Sequence, residues 1–167
     1  LAGKDDVDVV LAVVGLDERS ESEGLDRSSM AIPQVQNDLV EALKGIDKPI
    51  VIVLVAGSPV ELPWIDDVAA VLYVGLSGQA GASATVRALT GEVNPSGHLA
   101  ETWPVRYEDC PSASWYPAIG RDAIYREGPF VGYRYYETAG VPVRFPFGYG
   151  LSYSKFTYSA ATAGEKG

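Results

Sequence analysis

The run PIVIVLVA at residues 49–56 decides the fold, because every one of its positions is apolar. Two further runs have the same character, DVVLAVVG at residues 8–15 and AVLYVG at residues 70–75. A strand with one face in water alternates apolar and polar residues, whereas a strand covered on both faces is apolar almost throughout. The three runs therefore predict parallel strands that are buried between helices.

Segments with helical character separate these strands. The first runs from about Pro33 to Lys44, and its apolar positions at helical spacing predict the side that faces the sheet: Ile32, Val35, Leu39 and Leu43. The second runs from about Gly78 to Leu89, and its predicted inner side is made of small residues: Ala80, Gly81, Ala84 and Ala88. Strands that alternate with helices predict an α/β protein, here a three-layer αβα sandwich with a mainly parallel sheet.

The composition changes after Trp103, where aromatic residues lie among prolines and glycines. These aromatic residues are Trp115, Tyr116, Tyr125, Phe130, Tyr133, Tyr135, Tyr136, Phe145, Phe147 and Tyr149. Long ordered loops in compact domains are commonly functional or interfacial. We therefore predict one domain over residues 1–159 with long aromatic-rich loops, followed by a tail or linker of small residues at 160–167.

Charge and rare residue types exclude several classes of function. The 22 acidic and 13 basic residues give a net charge of −9, whereas a nucleic-acid partner requires clustered Lys and Arg. The single cysteine, Cys110, and the single histidine, His98, exclude zinc sites built from those ligands, so no metal is predicted. One cysteine does not decide between a cytoplasmic and a secreted protein. The longest apolar run is too short to span a membrane.

A glycine-rich turn, GLSGQAG at residues 75–81, follows the third predicted strand and opens the second predicted helix. Dinucleotide sites use such a turn to bring backbone N–H groups onto a pyrophosphate. The spacing here is GxxGxxG rather than GxGxxG, and no GK[ST] follows it. Close packing of the helix explains these glycines better, and no cofactor is predicted.

The loop DERSESEGLDR at residues 17–27 is the strongest candidate for a functional site. It begins just past the carboxyl end of a buried strand, where open α/β sheets place their sites. The crowding of carboxylates in this loop has two possible explanations. They form a solvated loop whose charges Arg19 and Arg27 neutralise, or they raise the pKa of one carboxyl for general acid work. The composition alone favours the solvated loop.

Four blocks of the sequence resemble, in order, the motifs of family 3 glycoside hydrolases. The blocks are SESEGLDRSSMAIPQVQNDLVEAL at 20–43, YVGLSGQAGASATVRALTGEVNPSGHLAETWP at 73–104, YREGPFVGYRYYE at 125–137 and FPFGYGLSYSKFTY at 145–158. The matching family motifs are E-G-x-D-R followed by L-P-x-x-Q, then N-P-S-G-R-L-P, then Y-x-E-G-x-x-V-G-Y-R-Y-Y, and finally F-P-F-G-x-G-L-S-Y. Four ordered blocks are far more specific than one glycine motif.

The resemblance implies the acid/base domain of a retaining β-glycosidase, β-glucosidase-like in activity. Family members carry an aspartate nucleophile on an N-terminal barrel domain, and the α/β domain supplies the acid/base from the glutamate before the glycine of E-G-x-D-R. That residue is Glu23 here, with Glu21, Asp26 and Arg27 expected beside it. The implied substrates are β-glucosides, related oligosaccharides or aryl glycosides. Because the nucleophile lies outside this chain, the isolated chain is expected to be inactive.

Two departures from the family pattern lie in a turn, where His98 replaces the usual Arg and Ala100 the usual Pro. Family members also begin this domain with a strand that has no counterpart before Asp8. The missing strand predicts an unpaired sheet edge and therefore some homodimer. The alternative to an enzyme is a carbohydrate-binding or structural sandwich module without catalysis, in which Glu23 would tolerate substitution.

Overall fold

The computed structural model describes residues 5–118, 120–162 and 164, and the elements follow one another as alternating strands and helices. Of the predicted tail, positions 163 and 165–167 lie outside the described residues. The main elements are β1 (Val10–Gly15), α1 (Gln34–Leu43), β2 (Ile50–Val55), β3 (Ala70–Tyr73), α2 (Gly81–Leu89), β4 (Trp103–Pro104), α3 (Tyr133–Ala139) and β5 (Val143–Phe145). Short 3₁₀ turns lie at Ile65–Asp67 and Tyr107–Asp109.

A parallel three-stranded sheet in the order β1-β2-β3 forms the centre of the molecule. Val10 pairs with Ile50, and Ile52 pairs with Val71. The central strand β2 is the most buried, because Ile52 and Leu54 are both 0% exposed. All three strands predicted from the apolar runs are present, so the α/β class with a mainly parallel sheet is confirmed.

The main core cluster lies on one side of this sheet, between the strands, α1 and the chain that follows β2. Its buried residues form one cluster: Ala12, Val14, Ile32, Val40, Ile50, Ile52, Leu54, Ala56, Val60, Leu62, Trp64 and Trp103. The indole Nε1 of Trp64 donates a hydrogen bond to Asn37 Oδ1 at 2.9 Å. This bond ties α1 to the turn that leads into β3.

The predicted inner face of α1 is wrong for two of its four residues. Ile32 is buried and Leu43 packs against the core, but Val35 is 73% and Leu39 is 48% exposed. The helix is rotated so that Val40, Gln36 and Asn37 face inward. Two hydrogen bonds explain this rotation. Gln36 Oε1 accepts the backbone N–H of Gly15 at 2.7 Å, and Asn37 Oδ1 accepts the indole N–H of Trp64. Both bonds require these amides beside the sheet.

The expectation that all strands are covered on both faces is wrong for β1. Val10, Ala12 and Val14 are buried, whereas Val9, Leu11 and Val13 are between 49% and 65% exposed. Successive side chains on a strand point to opposite faces, so the exposed residues share the face opposite to the buried ones. An apolar surface is therefore left open there.

The second helix is shorter than predicted, and only some of the small residues on its predicted inner side are buried. It begins at Gly81 rather than Gly78, because the N–H of Gly81 already closes a turn onto the carbonyl of Gly78 at 2.9 Å. Gly81 is buried, but Ala80 and Ala84 are exposed and Ala88 is half-buried. Among the described residues, neither this helix nor any other is long and apolar enough to cross a membrane.

The aromatic region that follows Trp103 is held to the sheet by a small antiparallel pair, β4 with β5. Trp103 is buried, and its ring meets those of Tyr73 and Phe145 at centroid distances of 5.1 and 6.0 Å. The long aromatic-rich loops predicted from composition are present.

Candidate functional site

The acidic loop leaves the sheet at the carboxyl end of β1, beside the end of β2. Its first turn is closed by Asp17, whose Oδ1 accepts hydrogen bonds from Ser20 Oγ at 2.8 Å and from the Ser20 N–H at 2.9 Å. These bonds from Ser20 hold the pKa of the Asp17 carboxyl below its usual value. Asp17 therefore stays ionised and shapes the loop.

Glu21 fastens the middle of the loop to the segment directly after β2. Its Oε2 accepts the N–H of Gly57 at 2.8 Å, and its Oε1 accepts the hydroxyl of Ser58 at 2.8 Å. Arg27 reaches the same hydroxyl from the end of the loop, because its Nη1 donates to Ser58 Oγ at 2.6 Å. A longer bond joins Arg27 Nη1 to the carbonyl of Pro59 at 3.4 Å. Two predicted site residues thus meet at one serine.

Asp26 ties the loop to the aromatic region. Its Oδ1 accepts a hydrogen bond from the Tyr116 hydroxyl at 2.6 Å. This bond to a carboxylate raises the pKa of Tyr116, because a phenolate would lose the bond and face a negative charge. The guanidinium of Arg126 lies over the neighbouring Trp115 ring, 3.6 Å from the ring centroid.

Glu23 lies between these anchored positions and is itself exposed. Its carboxylate makes no hydrogen bond to the part of the chain that the structure describes, in contrast to those of Glu21 and Asp26. Gly24 follows it with a φ of +77°, a conformation that glycine adopts without steric cost. The turn at Gly24 therefore presents the Glu23 side chain to the outside of the loop.

Three contact residues of this site, Gly57, Ser58 and Tyr116, were not predicted from the sequence. Gly57 and Ser58 follow the run 49–56 directly, and the carboxyl ends of neighbouring parallel strands meet at one edge. That signal was available for them. Tyr116 lies 90 residues from Asp26, and nothing in the local sequence indicates their contact.

A cavity of about 630 Å³ adjoins the anchored end of the loop. Its wall includes Arg27, Ser58 and several aromatic residues, among them Tyr107, Tyr116, Tyr133, Tyr136 and Phe147. Arg27 Nη2 and Thr102 Oγ1 are buried at this wall and have no hydrogen-bond partner among the described residues. Partial desolvation raises the pKa of Glu101, another wall residue, above its usual value. Partial burial likewise raises the pKa of the Cys110 thiol.

Carboxylates are the acidic groups that this loop brings together. The described residues contain no group of three or more His, Cys, Asp and Glu side chains placed to hold a metal ion. An exposed carboxyl group on an anchored loop can donate a proton and, once ionised, accept one, provided that a substrate is brought to it.

Comparison with known proteins shows one family. Residues 2–153 match the family model for the glycosyl hydrolase family 3 C-terminal domain. A thermostable β-glucosidase B from Acetivibrio thermocellus is 52% identical over 159 residues, which are 95% of this chain and 21% of that protein. An exo-α-(1→6)-L-arabinopyranosidase from Bifidobacterium breve is 40% identical over 161 residues, which are 96% of this chain and 21% of that protein.

Solved structures agree with this result. The crystal structure of a β-glucosidase from Kluyveromyces marxianus in complex with glucose matches at a TM-score of 0.85 and 39% identity, over 88% of this chain and 18% of that chain. The present chain therefore spans about a fifth of the length of the proteins it resembles.

Proposed function

This chain belongs to the glycosyl hydrolase family 3 C-terminal domain family, and from that premise we propose that it supplies the acid/base of a retaining β-glycosidase. The acid/base is Glu23. The aspartate nucleophile lies on an N-terminal barrel domain outside this chain, and the substrates are β-glucosides or related oligosaccharides and aryl glycosides. Relatives named β-glucosidase support the substrate class.

Glu23 stands directly before the glycine of the E-G-x-D-R motif, and its carboxylate differs from those of Glu21 and Asp26 on either side of it. Glu21 and Asp26 accept hydrogen bonds from Gly57, Ser58 and Tyr116, whereas Glu23 is exposed and has none within the described residues. An acid/base must be free to reach the glycosidic oxygen and then a water molecule. Glu21, Asp26 and Arg27 hold the loop, and Glu23 acts from it.

The proposed mechanism needs two carboxyl groups about 5–5.5 Å apart, one on each domain. In the first step the acid/base gives its proton to the glycosidic oxygen while the barrel aspartate attacks the anomeric carbon. In the second step it removes a proton from water, which releases the sugar from the glycosyl-enzyme. A general acid must keep its proton near neutral pH, and desolvation by a covering domain is one ordinary means.

The exposed aromatic residues support a contact with the barrel domain. Trp115, Tyr125, Phe130, Tyr133 and Phe147 are between 40% and 82% exposed. Monomeric proteins rarely leave extended apolar surface open without a partner. Because the nucleophile and most sugar contacts lie on the barrel, the isolated chain does not hydrolyse aryl glycosides. A second copy of this chain is a further partner, through the open side of β1.

The test is made in the full-length protein that contains this domain. Glu23→Gln should slow hydrolysis of substrates with poor leaving groups by about 10²–10⁴-fold, because these need protonation. Nitrophenyl glycosides should lose less in the glycosylation step, and their glycosyl-enzyme should accumulate. In Glu23→Ala, whose shortened side chain leaves room for the anion, azide should restore turnover and give a glycosyl azide of retained configuration, since azide needs no base.

The matched control is Glu18→Gln, which changes an exposed carboxylate of the same loop and should leave all rates unchanged. Equal losses for good and poor leaving groups in Glu23→Gln, without azide rescue of Glu23→Ala, would show that Glu23 is not the acid/base. Glu21 would then be the next carboxylate to test.

A further inference from the structure

We propose that Ser58 is the positioning residue for Glu23, because its hydroxyl joins the two ends of the segment that carries this carboxylate. The inference rests on the acid/base role proposed for Glu23. Ser58 itself does not touch the substrate and is not a catalytic residue. It acts through the two side chains that it holds.

The hydroxyl of Ser58 donates one hydrogen bond and accepts another. It donates to Glu21 Oε1 at 2.8 Å and accepts from Arg27 Nη1 at 2.6 Å. A serine hydroxyl has one proton to donate, so the Glu21 bond uses its whole donor capacity. Glu21 precedes Glu23 by two residues and Arg27 follows it by four. One atom therefore closes a short loop around the acid/base.

The closure is attached to the most rigid part of the molecule. Ser58 follows β2 by three residues, and Leu54 and Ala56 just before it are both 0% exposed. Glu21 makes two hydrogen bonds to the same segment, since its second carboxylate oxygen accepts the N–H of Gly57 at 2.8 Å. A site residue is held best by a support that is itself fixed by packing.

The other anchor of the loop lacks this rigidity. Asp26 is bonded to Tyr116, and Tyr116 lies in an exposed loop region without regular structure. Loss of Ser58 would also leave Arg27 with a single bond, to Pro59 at 3.4 Å, while its Nη2 is already buried without a partner among the described residues. Ser58 is therefore the contact on which the position of Glu23 depends most.

The experiment compares Ser58→Ala, Ser58→Thr and Ser28→Ala in the full-length protein, with nitrophenyl glycosides and with glycosides of poor leaving groups. Ser28 is an exposed serine near the same loop and bonds to none of its carboxylates, so its variant is the matched control. Ser58→Ala should lower kcat for poor leaving groups by up to about 10²-fold, the cost of misplacing a catalytic group by about 1 Å. The KM should be almost unchanged, and nitrophenyl glycosides should lose less.

Rescue separates positioning from simple support of the fold. Ser58→Thr keeps the hydroxyl and should retain most activity. A loss that is equal for all leaving groups and follows the fall in melting temperature would overturn the proposal. So would full activity in a folded Ser58→Ala.

Two further measurements keep the outcomes distinct. Glu23→Gln is assayed beside the serine variants: if it shows no leaving-group dependence, the acid/base assignment itself fails. If it shows the dependence and Ser58→Ala does not, only the role of Ser58 fails. Should Ser58→Ala not fold, Glu21→Gln weakens the same bond, and unchanged kinetics in that variant overturn the proposal.

Discussion

Gly15 shows how one residue determines where the site loop begins. It ends β1, and its N–H donates to Gln36 Oε1 at 2.7 Å. A Cβ at this position would overlap the carbonyl oxygen of Val55 on the neighbouring strand. The obstacle is backbone, so a change of rotamer cannot relieve it. The exit of the chain from β1 therefore requires glycine.

We expect Gly15→Ala to lower the free energy of unfolding of the 167-residue chain, on the order of 1–3 kcal/mol, because the two strands must separate. Urea unfolding followed by circular dichroism measures the loss. The control is Gly78→Ala, where a Cβ would meet nothing within 4 Å. That variant should be unchanged or more stable by up to about 1 kcal/mol. Equal stability of the two variants would contradict the close approach.

At the scale of the element, α1 shows that apolar spacing does not by itself determine how a helix is rotated. Apolar residues lie on two sides of α1, and Val40 is 0% exposed while Val35 is 73% exposed. The side-chain amides of Gln36 and Asn37 determine which side of α1 faces the sheet, because each accepts a hydrogen bond from a group of the core.

The two valines of α1 give a matched pair of variants. Val40→Ala should lower the free energy of unfolding by about 1.5–3 kcal/mol, from lost burial and the cavity left behind. Val35→Ala removes the same atoms from an exposed site, and its effect should stay within about 0.5 kcal/mol. Urea unfolding of the chain checks both. A larger loss for Val35→Ala than for Val40→Ala would mean that the helix is rotated the other way.

At the scale of the whole molecule, the open side of β1 is the main unsatisfied surface of the sheet. Leu11 and Val13 are 51% and 65% exposed, and β1 is an edge of the described sheet. Exposed apolar edges favour pairing with another chain, and a lysine on such an edge opposes it.

The chain should therefore show some dimer at high concentration in light scattering or sedimentation velocity. Val13→Lys should shift it towards monomer. Val86→Lys replaces a valine of α2 that is 56% exposed and does not belong to β1, so it should leave the dimer unchanged. A strict monomer before any substitution would show that β1 does not associate.

The sequence by itself determined the class of the fold and indicated one loop as the candidate site. Each of the runs 8–15, 49–56 and 70–75 is local and apolar, and burial of such runs dominates the free energy of folding. The strands were therefore predictable. Glu23, Glu21, Asp26 and Arg27 were predicted as site residues because the loop at 17–27 follows a strand and its motif resembles that of one family, and their roles stay a prediction.

The tertiary structure alone decided the contacts between distant parts of the chain. Glu21 and Ser58 are 37 residues apart, and Asp26 and Tyr116 are 90 residues apart. A single polar side chain forms no periodic pattern in the sequence, so its partner cannot be predicted from it. The rotation of α1 and the open face of β1 belong here as well. Hydrogen bonds of Gln36 and Asn37 choose the rotation, and only the packing of whole elements shows which apolar face is covered.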